Sequence, residues 1–448
     1  MGSISRRDTV ILAAATAVVV CTALVTGGGA SAAGLPGVDG AHTAASGGTW
    51  GKAEEVPGTA ALDTDGDAQI NSVSCASAGN CSAGGSYTDA SHVGQAFAVN
   101  EVKGTWGKAE KVPGTAALNA GYPDGSASIA SVSCASAGNC SAGGFYTDAS
   151  DVGQAFVVNE VKGKWGKAEK VPHSIPAESA SIRSVSCGSA GSCSAGGYYQ
   201  DSSGNQAFVV SEAKGKWGKA EEVPGTAVLN TGGDGFIESV SCGSAGSCSA
   251  GGYYAHATGQ YEVSSRQAFV VSEVKGKWGR AEEAPGTAAL NVRGGAGINS
   301  VSCASAGSCS AGGYYQDAAA GEQAFVVNEV KGKWGRAEEA PGTAALNAGG
   351  SAFTSSVSCA SAGNCGAGGQ YREDASGKLE VFVVSEVKGK WGRAEEVPGT
   401  AALNVGGFLG ADAQMNSVSC ASASSCSAGG YYHDASGDQQ AFVVSEGR

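Results

Sequence analysis

The chain has 448 residues, a formal net charge of −13 and 15% charged residues, and it carries 73 glycines. An acidic surface of this kind repels phosphate backbones and anionic lipid, which argues against nucleic acids and membrane surfaces as partners. The glycine content is not that of a low-complexity chain, because Val, Tyr, Phe and Trp recur at fixed places, as a packed core requires.

The N-terminus reads as an export signal over residues 1–32. Arg6 and Arg7 form a charged region, Val10 to Val25 is nearly unbroken apolar sequence, and Ala30-Ser31-Ala32 offers small residues for cleavage. Ser5-Arg6-Arg7-Asp8 resembles a twin-arginine signal, but Thr9 stands where a large apolar residue is usual, so the general secretory route stays open beside it. Cys21 follows Val18-Val19-Val20 and lacks the small residue that precedes a lipidated cysteine. No other stretch approaches the ~20 apolar residues that a spanning helix needs. The expectation is a protein without a membrane span, secreted or held in the cell envelope. Residues 33–46 read as a flexible leader.

From Gly47 onward the pattern GTW, GKAEEVPG, INSVSC, CSAGG and QAFxVxE repeats to the end of the chain. Tryptophans at 50, 106, 165, 217, 278, 334 and 391 mark seven units spaced by 52 to 61 residues, a propeller-blade period. Within each unit β-branched and aromatic residues bounded by turns predict four strands: a (INSVSCAS), b (CSAGGYY), c (QAFVVSEV) and d (KWGKAEEV). Lys275-Gly276 predicts the tight c–d turn. The fold class that follows is all-β, a seven-bladed β-propeller of four-stranded antiparallel blades over residues 47–448, about 28 strands in all. The chain stops after a strand c, while Gly47 to Pro57 is a strand d with no a, b or c before it. That N-terminal strand is expected to pair with Gln440 to Ser445 and close the ring, which removes an exposed edge.

Constant and variable spacings divide the turns. The step between the two cysteines is always 6, from Phe to the next Trp always 9, and from Trp to the following Pro always 7. The step from Pro to the next cysteine runs from 15 to 22, and from second cysteine to Phe from 15 to 21. In a meander, successive turns alternate between faces, so the constant a–b and c–d turns share one face and the variable b–c and d–a turns share the other. Loops on a rigid scaffold carry recognition. The variable face, including Pro224 to Ile237 and Tyr254 to Arg266, is therefore the candidate surface for an extracellular protein or glycan partner of a monomeric chain, with Asp89, Asp201, His256, Tyr261, Arg266, Arg293, Arg372 and His433 as candidate binding residues.

Cysteines fall into the pairs Cys75/Cys81, Cys134/Cys140, Cys187/Cys193, Cys242/Cys248, Cys303/Cys309, Cys359/Cys365 and Cys420/Cys426. Facing residues of an antiparallel hairpin are close enough to bond, and export favours oxidation, so one disulfide per blade is expected. A metal site would call for further Cys or His ligands in each unit, and these are missing. The double glycine after each pair reads as room for close packing of neighbouring blades.

The succession Gly196-Gly197-Tyr198-Tyr199, Val209-Val210 and Lys216-Trp217, which has equivalents along all seven units, resembles the kelch repeat, itself a four-stranded propeller blade. The SVSC…C blade also resembles repeats in secreted actinobacterial proteins of unknown function. The kelch resemblance implies a protein-binding or glycan-related propeller and transfers no catalytic residue; the disulfide-closed a–b turn departs from it. The copper radical chemistry of galactose oxidase needs a cysteine free to link to tyrosine, and every mature cysteine here has a partner. A sialidase-like reading fails on the turn motif, since Asp201-Ser202-Ser203-Gly204 and Asp434-Ala435-Ser436-Gly437 have one residue too many between Asp and Gly, and these tips read as Asp-capped turns. Arg183, Arg266, Arg293 and Arg372 could form a carboxylate clamp, but the simpler reading is solvated arginines.

No cofactor is expected beyond a candidate calcium site at Asp63, Asp65 and Asp67, three carboxylates within five residues that offer the oxygen ligands of a hard cation. The Glu-rich strand d reads as a charged outer strand that discourages edge pairing. The rival functions are a glycosidase or lyase with its site at the central mouth, marked by acidic and basic side chains converging there from different blades, and a structural component of the cell envelope. Near-identity of the units favours repeated binding contacts over catalysis.

Overall fold

The computed structural model describes residues 55–64, 67–121, 125–172, 178–257, 265–374, 377–406, 412–423, 425–437 and 439–446. The expected export signal, the leader, Trp50 and most of the N-terminal strand d lie outside these residues, as do Tyr261 and Asp65. Among the described residues no helix is long and apolar enough to cross a membrane.

Seven antiparallel sheets follow one another along the chain, and together they make a seven-bladed propeller. Blade 3 shows the plan: strand a is Ser179–Ser189, b is Ser192–Asp201, c is Gly204–Ala213, and d is split into Lys216–Trp217 and Glu221–Glu222. Blades 1, 2, 4, 5 and 6 start at Gln69, Ala127, Phe236, Gly297 and Ala352 and repeat it, and blade 7 shows strands Gln414–Ser422, Ser425–His433 and Gln439–Ser445. The single strand d expected from the sequence is thus corrected to two pieces. Gly218 donates its N–H to the Ser211 carbonyl across strand c, and Ala220 then turns outward to bond the Pro172 carbonyl of the preceding blade. A one-turn helix of sequence Thr-Ala-x-Leu, as in Thr226–Leu229, opens six of the d–a connections, so only their later part varies.

Strands a line the axis, and the SVSC signature explains how they hold one another. Ser72 Oγ accepts the N–H of Val132 in the next blade at 2.9 Å, and Ser74 Oγ accepts that of Cys134 at 3.0 Å. The same two links recur blade by blade to Ser356 with Val418 and Ser358 with Cys420, both 3.0 Å. Serine hydroxyls therefore satisfy buried strand amides that have no ladder partner, where an orphan would cost about 1–3 kcal/mol each. Valine of the same motif goes to the core: Val132, Val185, Val240 and Val301 are buried.

All seven disulfides form within their hairpins as the spacing predicts: Cys75–Cys81, Cys134–Cys140, Cys187–Cys193, Cys242–Cys248, Cys303–Cys309, Cys359–Cys365 and Cys420–Cys426, with facing Cα atoms 3.8 to 4.0 Å apart. They place the protein in an oxidising environment. The strand-b partners Cys81, Cys140, Cys193, Cys248, Cys309 and Cys365 are all buried. Strand b is flanked by a and c within its own blade, and in blades 2 to 6 its sulfur packs on a serine of the preceding blade. Cys248 Sγ lies 3.5 Å from Ser194 Oγ, and Cys365 Sγ lies 3.2 Å from Ser310 Oγ.

The double glycine has two jobs. A Cβ on Gly196 would run into Ile237 of the next blade, whereas one on Gly197 would strike the Ser181 carbonyl of its own strand a. The second contact arises because strand a bulges there: Ile182 faces Gly197 and Ser184 faces Gly196, leaving Arg183 unpaired between them.

The two faces separate as the spacings predict. On the constant face Gly104 of a c–d turn donates to Gly79 of the a–b turn at 2.9 Å. Just beneath it, blades 2 to 6 each send a buried glutamate and a tryptophan to the preceding blade. Glu160 accepts from Ser82 at 3.1 Å and Asn100 at 2.6 Å, and the Trp165 indole donates to Asn100 at 3.1 Å. The strand-d glutamates are more than a solvated edge: Glu222, Glu283, Glu339 and Glu396 accept the phenol O–H of Tyr199, Tyr254, Tyr315 and Tyr371.

Blade 7 differs on the side that its counterparts turn to the blade that follows them. Val443 is 64% exposed, while its counterparts Val157, Val209, Val270 and Val326 are at most 1% exposed. The described end of the N-terminal strand nevertheless behaves like the end of a preceding blade: the Pro57 carbonyl accepts the Ala109 N–H at 2.7 Å, and Val56 packs on the blade 1 core.

Candidate functional site

Because the blades are near copies, positions where they differ stand out. The unpaired bulge residue of strand a is Asn71, Ala130, Arg183, Glu238, Asn299, Ser355 and Asn416 in turn. The residue after the double glycine is Ser86, Phe145, Tyr198, Tyr253, Tyr314, Gln370 and Tyr431. Both positions lie towards the variable face, and the unlike side chains of blades 3 to 5 meet there.

Arg183 Nη1 lies 3.0 Å from Glu238 Oε2 across the junction of blades 3 and 4, with side chains 33% and 14% exposed. The guanidinium sits 5.3 Å from the Tyr198 ring centroid and 4.9 Å from that of Phe236. Phe236 in turn lies 4.6 Å from Tyr198 and stacks on Tyr253 at 5.1 Å. Arg266 continues the ladder, 4.6 Å over Tyr253, with its Nε and Nη2 both on Asp234 Oδ2 at 2.9 and 2.7 Å. Planar cations over aromatic faces are held by the ring quadrupole as well as by their carboxylates. Burial pushes the Glu238 carboxyl up, against the pull of Arg183 beside it. Desolvation likewise raises the Tyr253 and Tyr314 phenols, with the carboxylates of Glu238 and Asp234 adding to the effect at Tyr253.

A cleft of about 540 Å³ opens beside this ladder over blades 1 to 3. Its walls include hydroxyls and amides, among them Gln69, Asn71, Ser126, Ser128, Ser179 and Ser181, together with the rings of Phe145 and Tyr198 and the charged pair Arg183 and Glu238. Such a surface can stack one face of a ligand on aromatic carbon and satisfy many hydroxyls around it.

Of the residues singled out from sequence, Arg266 belongs to this ladder. Asp89 and Asp201 cap their b–c turns: Asp89 accepts from Ser91, Val93 and Gln95, and Asp201 from the Ser203 N–H at 2.8 Å. His256 Nδ1 is 3.1 Å from Thr231 Oγ1, and His433 Nδ1 is 2.9 Å from the Asp412 carbonyl. Arg293 reaches the Ala318 carbonyl at 3.4 Å, and Arg372 has its Nε buried. Asp63 accepts backbone N–H bonds from Asp67 and Thr88, and Asp67 is exposed.

The cysteines hold the scaffold and offer nothing to a ligand. Cys81, Cys248 and Cys365, like the strand-b cysteines Cys140, Cys193 and Cys309, are buried and spend their sulfur on a disulfide, so none presents a thiol at the mouth. The potential metal-holding groups among the described residues pair Cys134 and Cys140 with Glu160, and Cys303 and Cys309 with Glu329, and all four sulfurs are already in disulfides. Reading Arg183 and Arg266 as solvated arginines is corrected, since both are ion-paired over aromatic rings. Glu238, Tyr198 and Tyr253 escape a reading that follows loop length, and Asp234 and Phe236 fall in its variable segment Pro224 to Ile237 without being singled out. Aligning the blades at the bulge would have exposed the first charged pair.

No protein-family model matches the chain, and no curated protein is similar to it. Among solved structures, YCF48 from Cyanidioschyzon merolae is 13% identical, with 81% of this chain and 91% of that one covered and a TM-score of 0.42. A polysaccharide lyase described as an ulvan lyase is 10% identical, with 82% and 90% covered and a TM-score of 0.41. A protein of unknown function from Dyadobacter fermentans is 11% identical, with 71% and 93% covered and a TM-score of 0.37. At this level of similarity no function passes to the chain.

Proposed function

We propose that the protein is a secreted glycan-binding propeller whose site is the mouth of the variable face at blades 1 to 5. The observation that carries this reading is the Tyr198–Phe236–Tyr253 ladder with Arg183 paired to Glu238, bordering a cleft lined by hydroxyls and amides. A sugar ring offers an apolar C–H face for stacking and a rim of hydroxyls that both donate and accept. Arg183 and Arg266 are each neutralised by a carboxylate, so the site favours an uncharged, polyhydroxylated ligand over an acidic one. A glycan array probed with the wild-type chain and with Tyr198→Ala tests it: neutral oligosaccharides are retained by the first and lost by the second. Equal array profiles for the two proteins overturn the assignment.

The carbohydrate-active enzyme is a second reading, favoured by one observation: Glu238 is a carboxyl pushed up by burial, as a general acid requires. Incubation of an array-positive polysaccharide with wild type and Glu238→Gln separates the two. Chain cleavage by wild type alone supports the enzyme, and an intact polysaccharide in both supports pure binding.

A further inference from the structure

We infer that the constant face of the propeller docks on an anionic membrane surface, with the lysines of its c–d turns on lipid phosphates and the adjoining valines at the headgroup boundary. The net charge of −13 argues against such a partner. A net charge does not say where the charges stand, however, and here they are sorted by face. In blades 2 to 6 the c–d turn reads Lys-Gly-Lys, from Lys162-Gly163-Lys164 to Lys388-Gly389-Lys390, and in blade 1 it reads Lys103-Gly104-Thr105. These lysines are exposed, and among the described residues none of them makes an ion pair.

The carboxylates lie elsewhere. The neighbouring a–b turns, such as Ser77-Ala78-Gly79-Asn80, carry no charge. Glu160, Glu212, Glu273, Glu329 and Glu386, which lead into the c–d turns, are 2 to 3% exposed and accept hydrogen bonds from serine or asparagine side chains of the preceding blade; Glu101 of blade 1 is half-buried. The exposed Glu221 and Glu282 of strand d stand opposite Val209 and Val270, four residues from the turn end of strand c, or about 13 Å along it. Asp89, Asp148, Asp201 and Asp317 cap turns of the opposite face. The constant face is thus cationic on an acidic protein.

Local turn chemistry does not ask for these lysines. Lys162, Lys214, Lys275, Lys331 and Lys388 have φ of 52 to 54°, a left-handed conformation that two-residue hairpin turns ordinarily give to asparagine, aspartate or glycine. The glycine after each donates its N–H to the a–b turn of its own blade at 2.8 to 2.9 Å, so the tips project alike. Directly before these lysines stand Val161, Val274, Val330 and Val387, and before Lys103 stands Val102; they are 59, 61, 62, 46 and 59% exposed in that order. A soluble polyanion would account for the lysines and leave the valines in water. An anionic bilayer takes up both, and the ring of tips lets several blades touch it together. The mouth of the variable face then points away from the membrane, although the docking does not depend on what that mouth binds.

Vesicle flotation of the exported, disulfide-bonded protein tests the inference. The protein is expected to float with phosphatidylglycerol vesicles at low salt, to stay behind with phosphatidylcholine vesicles, and to be released at high salt. The triple variant Lys214→Asn, Lys275→Asn, Lys331→Asn removes three charges but suits the turns, so it should bind the anionic vesicles about 100-fold more weakly with a melting temperature equal to wild type or higher. Val274→Ser with Val330→Ser should weaken binding about fivefold. Absence of flotation with phosphatidylglycerol, equal flotation with both lipids, or full affinity in the folded triple variant overturns the inference. So does a valine variant with wild-type vesicle affinity when soluble polyphosphate binds the protein as tightly as the vesicles do, because the face then serves a polyanion in solution.

Discussion

The inner ring and the mouth are built from the same strands and obey opposite rules. At the ring, Ser72, Ser131, Ser184, Ser239, Ser300 and Ser356 make one and the same contact with the next blade. At the mouth, the adjacent bulge residue changes from blade to blade and forms a charged pair only where Arg183 meets Glu238. Repetition is what a closed ring needs, since each junction must solve the same packing problem. A binding site for an unsymmetrical ligand needs unlike groups side by side. The bulge reconciles the two, because it takes one residue per blade out of the ladder and leaves its side chain free to vary.

Ring substitutions should therefore cost stability wherever they are made. Gly197→Ala is expected to have the largest effect, about 3 kcal/mol or more, because its Cβ meets the Ser181 carbonyl and strand a has no room to retreat. Denaturant unfolding measures it, and a near-neutral variant would show that the bulge is not rigid. Next, the double substitution of Cys187 and Cys193 to Ala should lose about 2 to 2.5 kcal/mol, the loop-closure value for so short a loop. The equivalent change at Cys303 and Cys309 should lose the same, and a large difference between the two would break the picture of interchangeable blades. Ser184→Ala strands the buried Val240 amide and should cost about 1 to 3 kcal/mol.

A smaller effect depends on pH. Burial pushes the Glu160, Glu212 and Glu386 carboxyls above the ordinary 4.5, with hydrogen bonds from Ser82, Asn159 and Asn328 pulling the other way. Between pH 4.5 and their folded values the native state holds protons that the unfolded chain has released, so their contribution to stability is present below about 4.5 and is lost as pH rises through that window. Glu212→Gln should therefore gain on wild type in melting temperature as pH is raised from 4.5 to 7. A constant difference between the two proteins across that range contradicts it.

Most of the ring was legible in the sequence because its determinants are periodic. The fixed step of 6 between cysteines pointed to the hairpin disulfides, and the 9-residue step from Phe to Trp to the c–d connection. That Cys81, Cys248 and Cys365 are the buried halves of their pairs was not legible, because it depends on strand b lying between strands a and c and, for Cys248 and Cys365, on a serine of the preceding blade. Strand d was read as continuous because GKAEEV has strand composition, whereas Gly218 and the outward bond of Ala220 to Pro172 interrupt it through contacts distant in sequence. The part played by the SVSC serines was not legible, since nothing local shows that their hydroxyls complete a neighbour's backbone. At the mouth, loop length pointed to Arg266, which lies in the aromatic ladder, while Asp89 and Asp201 are turn caps. Arg183 and Glu238 sit in a segment of constant length, and the bulge that turns them outward becomes visible only in the pairing register.

The central claim, that unlike bulge and aromatic residues make the mouth a glycan site while the ring merely carries it, is tested most directly by symmetrising the mouth. Arg183→Asn, Glu238→Asn and Tyr198→Ser together give blades 3 and 4 side chains that other blades already carry at those positions. Titration calorimetry with an oligosaccharide retained by wild type should show binding lost, with the melting temperature kept within a few degrees. Binding that persists in the symmetrised protein would contradict the account.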